Sequence, residues 1–466
     1  MRLRFSPLFR LALGFALSGL LGRATLVERS LLVEANAPGA FSLVENGSAA
    51  PLHVAADDWP GVRRAAGDLQ ADVERVTGVR PDLPAGAPGA GRAVVLIGTV
   101  GRSSLIDRLV ASKKLNVDAL RGQWESFVIE TVDRPLPGVE RALVIAGSDK
   151  RGTIYGIYEI AEQIGVSPWY WWADVPVKKS TTLHLAAGRH AVGSPAVQYR
   201  GIFLNDEAPA LTGWVYEKYG RFGREFYGRL FELLLRLRAN YLWPAMWLPR
   251  AFNDDDPDNP RLADEYGIVM GTSHHEPLMR AHAEWGKYGQ GAWNYSANDA
   301  VLRDFWRASV ERTKNFENIM SLGMRGDGDE AMSADTNTKL LERIVADQRQ
   351  ILSEVTGRPA GQQPQLWALY KEVQDYYEAG MRVPDDVILL WCDDNWGNLR
   401  RLPTPEERKR KGGAGVYYHF DYVGGPRNYK WINVTPITKV WEQMHLAWRH
   451  DANRIWIVNV GDLKPM

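Results

Sequence analysis

The sequence predicts an α/β protein in which a (β/α)8 TIM-type barrel follows a small α/β domain. Residues 195–466 contain eight short apolar runs, each followed by a polar loop and usually by a helix. Eight such repeats in roughly 270 residues have the length and rhythm of this barrel. Residues 30–190 show a different order, β-α-β-α-β-β-α, which is typical of a smaller α/β unit.

The first 24 residues are predicted to be a signal peptide. "MRLRFSPLFR" is basic, "LALGFALSGLL" is apolar, and Gly22-Arg23-Ala24 has the small-x-small pattern of a cleavage site. The apolar run is too short for a permanent membrane span, and no later segment is long and apolar enough for one. We therefore expect export to the periplasm or the extracellular space, with an N-terminal membrane anchor as the alternative.

The small domain begins with the strand "PLHVAA" and the amphipathic helix "WPGVRRAAGDLQADVERVTG", which Gly78 is placed to end. "RAVVLIGTV" and "RALVIAGS" have the pattern of buried strands, and "SFVIETV" between them alternates. The helix "RGTIYGIYEIAEQIG" closes the domain. The aromatic, proline-containing segment "SPWYWWADVPV" then leads to the barrel.

The barrel strands are predicted at "YRGIFLN", "NYLWPAM", "YGIVMGT", "MSLGMRG", "QLWALY", "VILLWC", "GVYYHF" and "RIWIVNV". Helices are predicted at "GREFYGRLFELLLRLR", "AVLRDFWRASVERTKNF", "NTKLLERIVADQRQILSEV" and "PITKVWEQMHLAWRH". No helix follows the last strand, although a closed barrel needs one to cover it. We therefore expect a C-terminally truncated chain in which the final helix and any C-terminal domains are missing.

Composition excludes several classes of function. The formal net charge of zero argues against a nucleic-acid-binding surface, which would need a basic excess. Cys392 is the only cysteine, so an internal disulfide and a cysteine-rich zinc site are both excluded. Eighteen Trp and eighteen Tyr residues supply core packing and flat faces for stacking on sugar rings.

The ends of the predicted strands differ in chemistry. The residues that follow the eight strands are rich in acids, histidines and amides, whereas the opposite ends show no comparable enrichment. In strand order they are Asn205, Asp206 and Glu207; Trp243 and Trp247; His274, His275 and Glu276; Arg325, Asp327, Asp329 and Glu330; Tyr370, Lys371 and Glu372; Asp393, Asp394, Asn395 and Trp396; His419, Phe420 and Asp421; Asn459 and Asp462. We expect these side chains to share one mouth of the barrel.

Glycoside hydrolysis is the chemistry that uses such a set. It needs two carboxyl groups across the scissile bond, one to protonate the leaving oxygen and one to activate water or attack the sugar. The remaining acids, amides and histidines would bind sugar hydroxyls, and Trp247 would stack on a ring. Arg325 and Lys371 favour an acidic sugar, because Arg can hold a carboxylate through two hydrogen bonds.

A catalytic metal is the weaker alternative. His274, His275 and nearby acids could bind zinc, but His-His-Glu is not the helical His-Glu-x-x-His arrangement of zinc proteases. We predict no metal and no cofactor.

Several long motifs resemble glycoside hydrolase family 115. They include "YRGIFLNDEAP", "NYLWPAMW", "GTSHHEPLMR", "GMRGDGDEAM", "LYKEVQDYYEAG", the long segment from "LLWCDDNWGNLRRLPTPEERKRKGGAGVYYHF" to "KWIN", and "IWIVNVGDLKP". "GSDKRGTIYGIYEIAEQIGVSPWYWWADVPV" also resembles the first domain of that family. The resemblance runs from about residue 35 to the final residue, and it implies a xylan α-1,2-glucuronidase. Such an enzyme releases glucuronic acid or its 4-O-methyl form with inversion, from a pocket at the mouth of a (β/α)8 barrel.

The resemblance also implies roles for residues. Glu372 and Asp329 are the leading catalytic carboxylates, and we assign Glu372 as acid and Asp329 as base. The residues implied to bind the sugar are Asp206, His275, Arg325, Tyr370, Lys371, Asp393, Asn395, His419 and Asn459. Asp206 or Asp393 has the alternative role of orienting the others.

The implied partner is glucuronoxylan or its oligosaccharides, with no nucleic acid and no membrane span. A homodimer is expected only for a full-length form. Two other functions stay open. One is a different exo-glycosidase of barrel fold, such as a hexosaminidase, for which the adjacent acids Asp206 and Glu207 would be the pair. The other is a truncated carbohydrate-binding remnant without activity.

Overall fold

The computed structural model describes residues 30–35, 37–84, 86–205, 208–332, 337–422, 435–461 and 463. The predicted signal peptide and the predicted site residue Asp206 lie outside these residues. No helix among the described residues combines the length and the apolar character that crossing a membrane would require.

Residues before the barrel form two sheets and three helices. The strands are β1 (Phe41–Glu45), β2 (Ser48–Ala49), β3 (Leu52–Val54), β4 (Gly91–Thr99), β5 (Phe127–Asp133), β6 (Val139–Gly147), β7 (Leu183–Leu185) and β8 (Arg189–Val192). The helices are α1 (Pro60–Thr77), α2 (Ser104–Ala111) and α3 (Lys150–Gln163).

The larger sheet has the order β3-β4-β6-β5-β8, with β3, β4 and β6 parallel and β5 antiparallel to both of its neighbours. A small antiparallel sheet has the order β2-β1-β7. The predicted strands and helices correspond to β3 to β6, α1 and α3. Helix α1 ends at Gly78, whose φ of 77° is left-handed, as its sequence position predicts. The prediction missed β1, β2, β7 and β8, since runs of two to five residues carry little periodic signal.

The barrel-like part contains eight strands and nine helices within the described residues. The strands are β9 (Tyr199–Phe203), β10 (Tyr241–Trp243), β11 (Val269–Met270), β12 (Met320–Ser321), β13 (Gln365–Leu369), β14 (Ile388–Cys392), β15 (Ala414–His419) and β16 (Ile455–Asn459). The helices are α4 (Ala210–Tyr219), α5 (Arg224–Arg236), α6 (Phe252–Asp255), α7 (Asn259–Tyr266), α8 (Trp285–Tyr288), α9 (Tyr295–Thr313), α10 (Thr338–Thr356), α11 (Glu372–Glu378) and α12 (Ile437–Arg449).

All eight strands are parallel and have the order β11-β10-β9-β16-β15-β14-β13-β12. The outer two, β11 and β12, are joined where Met270 pairs with Asn318 in a parallel bridge. There the backbone N–H of Met270 donates to Glu317, and that of Ile319 donates to Met270. The sheet therefore curls until its edges meet. Seven of the eight predicted apolar runs contain one of these strands, and "GVYYHF" begins one residue after the start of β15.

Large aromatic side chains fill the interior of this sheet. Phe203, Tyr241, Trp243 and Tyr417 are all buried there, and the indole N–H of Trp243 donates to the hydroxyl of Tyr241 at 2.7 Å. These rings pack against one another between the strands, below the C-terminal mouth. The interior of the barrel is therefore a packed core beneath its polar rim.

Candidate active site

A cavity of about 190 Å³ opens at the C-terminal ends of the barrel strands. Its lining includes five predicted site residues, namely Trp247, His275, Asp329, Tyr370 and Lys371. Drug-sized ligands usually occupy about 300–1,000 Å³, so this cavity suits a single sugar ring better than a long oligosaccharide.

A larger cavity of about 560 Å³ lies before the barrel, near β1, β4 and β6. Its charged residues include Arg141 and Asp133, which form an ion pair with each other at 2.6 Å. It lacks the converging acids and histidines of the barrel mouth. We therefore place the functional site in the smaller cavity.

One guanidinium joins the two predicted catalytic carboxylates. Nε and Nη2 of Arg325 donate to the two carboxylate oxygens of Glu372, each at 2.9 Å. Nη1 of the same side chain donates to Oδ1 and to the backbone oxygen of Asp329. Asp329 and Glu372 therefore lie on two sides of a single buried cation.

Two histidines complete the surroundings of Asp329. Nε2 of His274 lies 3.0 Å from Oδ1 of Asp329, and Nδ1 of His275 lies 3.5 Å from the same oxygen. Burial acts to raise the pKa of Asp329, but His274, His275 and Arg325 together hold it well below its usual range. Burial lowers the pKa of His275 to about 3. His274, His282 and Arg325 also act to lower this pKa, whereas Asp329 acts to raise it. Asp329 is therefore an anion and His275 a neutral ring at neutral pH.

The same residues are the candidate metal ligands of the described part of the chain. One ligand atom each from His274, His275 and Asp329 lie within 4.8 Å of one another. Arg325 already supplies a cation to the Asp329 oxygen that a metal would need. The arrangement therefore suits a carboxylate held by hydrogen bonds better than a metal centre.

Asp393 and His419 form a second buried pair. Nδ1 of His419 lies 2.6 Å from Oδ1 of Asp393, and the carboxylate also accepts the backbone N–H groups of Asn395, Gly397 and His419. Every one of these partners belongs to the protein, and Asp393 is only 2% exposed. Asp393 therefore fixes the ring of His419 and the turn after β14, which matches the orienting alternative for this residue.

Tyrosines connect this pair to the cavity. The ring of Tyr417, which lines the cavity, lies 4.7 Å from that of His419 and accepts a hydrogen bond from Nδ2 of Asn459 at 3.0 Å. The side chain of Tyr370 is hydrogen-bonded to Asn395, whose buried Oδ1 has no protein partner in the described residues. His419 and Asn459 therefore act on the cavity through Tyr417, and Asn395 offers a free acceptor.

Lys371 differs from Arg325 in having no counter-ion. It lies exposed on the cavity rim with its ammonium 5.1 Å from the centre of the Tyr370 ring, and no carboxylate among the described residues pairs with it. Its backbone has a φ of 48°, and Asp329 and Asn395 are also left-handed, at 64° and 67°. Non-glycine residues adopt this region at a cost, which is common at functional sites.

Trp247 closes another side of the cavity. Its indole N–H donates to Oδ1 of Asn205 at 2.7 Å, and its ring lies 5.7 Å from that of His275 at 31°. The side chain is 36% exposed, so one face remains available for a sugar ring. Asn205 lies two residues after the end of β9 and anchors this platform.

The structure thus brings together most of the predicted site and alters the role of one residue. Arg325 was expected to hold a substrate carboxylate, but it is 3% exposed and its donors are taken by Glu372 and Asp329. The residues predicted to act in catalysis or sugar binding did not include His274, which was named only at the mouth and as a metal candidate. They also did not include Tyr417. Tyr417 lies two positions before His419 in β15, so the period-2 alternation of a strand could have revealed that both face the mouth.

The fold and the site define a barrel protein with a paired-carboxylate site of glycosidase type. The family model "Glycosyl hydrolase family 115" matches residues 192–466. A solved 4-O-methyl-α-glucuronidase of family GH115, with specificity for decorated arabinogalactans, is 37% identical, with a TM-score of 0.84 over 91% of this chain and 55% of that one. The chain belongs to glycosyl hydrolase family 115, and it spans about half the length of this solved relative.

More distant likenesses concern the fold alone. Two structures of a Streptomyces plicatus β-hexosaminidase, one a mutant in complex with the product GlcNAc and one in complex with Thio-NAglucal, are 12% identical, with TM-scores of 0.54 and 0.53. Each comparison covers 93% of this chain and 85% of the other. No curated protein matches the sequence.

Proposed function

We propose that this protein is an exo-acting, inverting α-glucuronidase that removes glucuronic or 4-O-methylglucuronic acid side chains from xylan. The observation that carries the proposal is the pairing of Asp329 and Glu372 through Arg325 beside a cavity with an unpaired lysine. Family membership and the likeness to a 4-O-methyl-α-glucuronidase support it. The protein acts after export, in the periplasm or outside the cell.

The two carboxylates have different tasks in this proposal. Asp329 is the base that activates water, because His274 contacts its carboxylate at 3.0 Å in addition to Arg325, which Asp329 shares with Glu372. Glu372 is then the member of the pair left to protonate the leaving oxygen. It begins α11 and its side chain is 22% exposed, so a proton can reach it from solvent. Water attack opposite the leaving group inverts the anomeric carbon.

The acidic group of the sugar is bound by Lys371. Its ammonium lies at the rim with no carboxylate partner among the described residues, whereas the guanidinium of Arg325 is committed to the proposed catalytic pair. An incoming carboxylate therefore gains a charge-assisted hydrogen bond at no expense to an existing pair. Trp247 offers a face for the sugar ring, and the free Oδ1 of Asn395 offers an acceptor for a hydroxyl.

The size of the cavity supports exo action. About 190 Å³ accommodates one terminal sugar, and the polymer would remain outside the mouth.

A second candidate differs in the polymer. The GH115 relative is described as specific for decorated arabinogalactans, so removal of the same acidic sugar from an arabinogalactan is the alternative reaction. The catalytic residues would be unchanged, since only the polymer outside the cavity differs.

Incubation with glucuronoxylan and with a glucuronic-acid-decorated arabinogalactan tests both candidates. We expect free uronic acid from glucuronoxylan, and Lys371→Met should raise KM about 10-fold or more through loss of a charged contact. Lys314→Met is the matched control, because Lys314 pairs with Glu311 at the far end of α9. Release from arabinogalactan alone would select the second candidate, and release of a neutral sugar alone would reject both.

A further inference from the structure

A buried carboxyl group to which the sequence assigned no catalytic or sugar-binding role lies near the turn Asp327–Asp329. Glu276 follows His275 in the turn after β11 and is 2% exposed. No Lys or Arg among the described residues forms an ion pair with it. A buried acid without a cation is costly, so its hydrogen bonds indicate what it does for the protein.

One oxygen of Glu276 is connected to the catalytic base. Oε2 lies 3.3 Å from the hydroxyl of Ser273, which lies 3.2 Å from Nδ1 of His275. The same Nδ1 lies 3.5 Å from Oδ1 of Asp329. A continuous chain of polar contacts therefore runs from the buried acid to Asp329.

The other oxygen is connected to the neighbouring aspartate. Oε1 accepts the backbone N–H of His282 at 3.0 Å, and Nε2 of His282 lies 2.9 Å from Oδ1 of Asp327. Asp327 and Asp329 belong to one short turn, Asp327–Asp329. Glu276 is thus the shared anchor of two histidines that contact both acids of this turn.

The charged surroundings of Glu276 come from several elements. Glu284 is the nearby acid, and it is itself paired with Arg280 at 3.1 Å and with Arg312 of α9 at 2.8 Å. Burial raises the pKa of Glu276 to about 8, and Glu284 adds to this while the N–H groups of His282 and Ser273 oppose it. The side facing the cavity carries His275, with Asp329, His274 and Arg325 beyond it.

We infer that Glu276 is a positioning residue with two roles. Through Ser273 it determines which ring nitrogen of His275 carries the proton. Through His282 it holds the turn that contains Asp327 and Asp329. A protonated Glu276 donates to Ser273, whose hydroxyl then donates to Nδ1 of His275. An ionised Glu276 accepts from Ser273 instead, so Nδ1 of His275 carries the hydrogen, which faces the Ser273 oxygen at 3.2 Å and Oδ1 of Asp329 at 3.5 Å. The link to catalysis rests on the proposed function, whereas the hydrogen-bond chain does not.

NMR of histidine ring nitrogens tests the chain without substrate. The protein has nine His residues, so selective ¹⁵N labelling gives a tractable spectrum, and His275→Gln assigns the signal. We expect the His275 tautomer to change with pH near 8 in the unaltered chain and to stay constant in Glu276→Gln and Ser273→Ala. Ser321→Ala, which removes a buried hydroxyl that donates to the backbone of Thr272, is the matched control and should behave like the unaltered chain.

Kinetics test the catalytic link. Glu276→Gln should match the unaltered chain near pH 6 and lose its decline in kcat/KM near pH 8. Ser273→Ala should lower kcat about 10-fold or more with little change in KM, as misplacement of a reacting group does.

The inference would be overturned if Glu276→Gln and Ser273→Ala both kept the His275 titration and the pH profile of kcat/KM of the unaltered chain. These two variants decide the matter even if Glu276→Ala fails to fold. If the chain releases no uronic acid but the His275 coupling is present, the proposed function fails and the positioning chain stands.

Discussion

The two ends of the barrel both hold buried charge clusters, but the clusters differ in what they leave open. At the N-terminal end, Glu125 accepts Arg151 at 2.6 Å, Arg200 at 2.5 Å and Asn240 at 2.6 Å. Arg151 also donates twice to Glu317, at 2.6 and 3.0 Å. Each of these charges has a partner, and the cluster ties the residues before the barrel to the starts of its strands.

At the C-terminal end, the charges surround a cavity and one cation is left unmatched. Arg325 pairs with Asp329 and Glu372, but Lys371 lies at the rim without a carboxylate among the described residues. Left-handed backbone occurs at both ends of the barrel, since Glu125 in the N-terminal cluster also has a φ of 52°. This feature therefore does not distinguish the two ends. A buried ion cluster alone therefore does not distinguish the two ends, whereas the adjoining cavity and the lysine without a carboxylate partner among the described residues do.

The largest difference in activity between variants at the two ends of the barrel is expected from Asp329→Asn. Loss of the base should lower kcat about 10²–10⁴-fold, the usual contribution of general acid–base catalysis. The midpoint of urea unfolding should fall as well, because the contacts that hold the pKa of Asp329 low also stabilise the folded chain and the neutral amide lacks the charge on which they act. The kcat is therefore expressed per folded molecule. Uronic acid release and urea denaturation on the same preparation measure both effects. A variant with near-normal kcat would remove Asp329 from the pair.

Glu125→Ala should lower stability without lowering kcat. It removes the carboxylate that accepts from Arg200 and leaves Glu317 as the remaining carboxylate partner of Arg151, which should cost about 3 kcal/mol of unfolding free energy. The kcat of the folded fraction should stay unchanged, because the cluster lies at the opposite ends of the strands. A large fall in kcat with unchanged stability would contradict this division.

Glu276 predicts a dependence of stability on pH. Its pKa is about 8 in the folded chain and about 4.3 in an unfolded one, so its proton stabilises the fold at low pH and this stabilisation is lost as pH rises through about 8. The loss should be on the order of a few kcal/mol.

His275, with a pKa lowered to about 3, has the opposite slope below about pH 6.5. The difference in unfolding free energy between the unaltered chain and Glu276→Gln, measured from pH 6.5 to 9, therefore isolates Glu276. Parallel curves over that range would contradict the assignment.

The smallest expected effect concerns the backbone of Lys371. At a φ of 48°, Lys371→Gly should be more stable than Lys371→Ala by about 1 kcal/mol, because glycine adopts this conformation without a clash. Both variants should lose affinity for the acidic sugar equally, since both lack the ammonium. Equal melting temperatures for the two variants would show that the backbone there is not strained.

The sequence predicts the strands of the barrel well because each one is a compact apolar run followed by polar residues. It also identifies Asp329, Glu372, His275 and Lys371 as neighbours, because parallel strands bring their C-terminal ends to one edge. Periodicity cannot say which acid a guanidinium will contact, so the role of Arg325 needed coordinates.

The sequence shows no enrichment of polar residues at the opposite strand ends that is comparable to the mouth, yet a charge cluster forms there. Arg200, Asn240 and Glu317 meet Glu125 and Arg151, which come from a segment of the chain far away in sequence. The sequence pattern of neighbouring strands detects a cluster on those strands but misses one whose partners come from outside the barrel.

The most direct test of the paired carboxylates follows the anomeric proton by ¹H NMR while the chain acts on α-linked glucuronoxylan. The account predicts that β-configured uronic acid appears first and then equilibrates, because water attacks from the side opposite the leaving oxygen. First appearance of the α-anomer would mean retention, and Asp329 and Glu372 could not then act as the proposed base and acid.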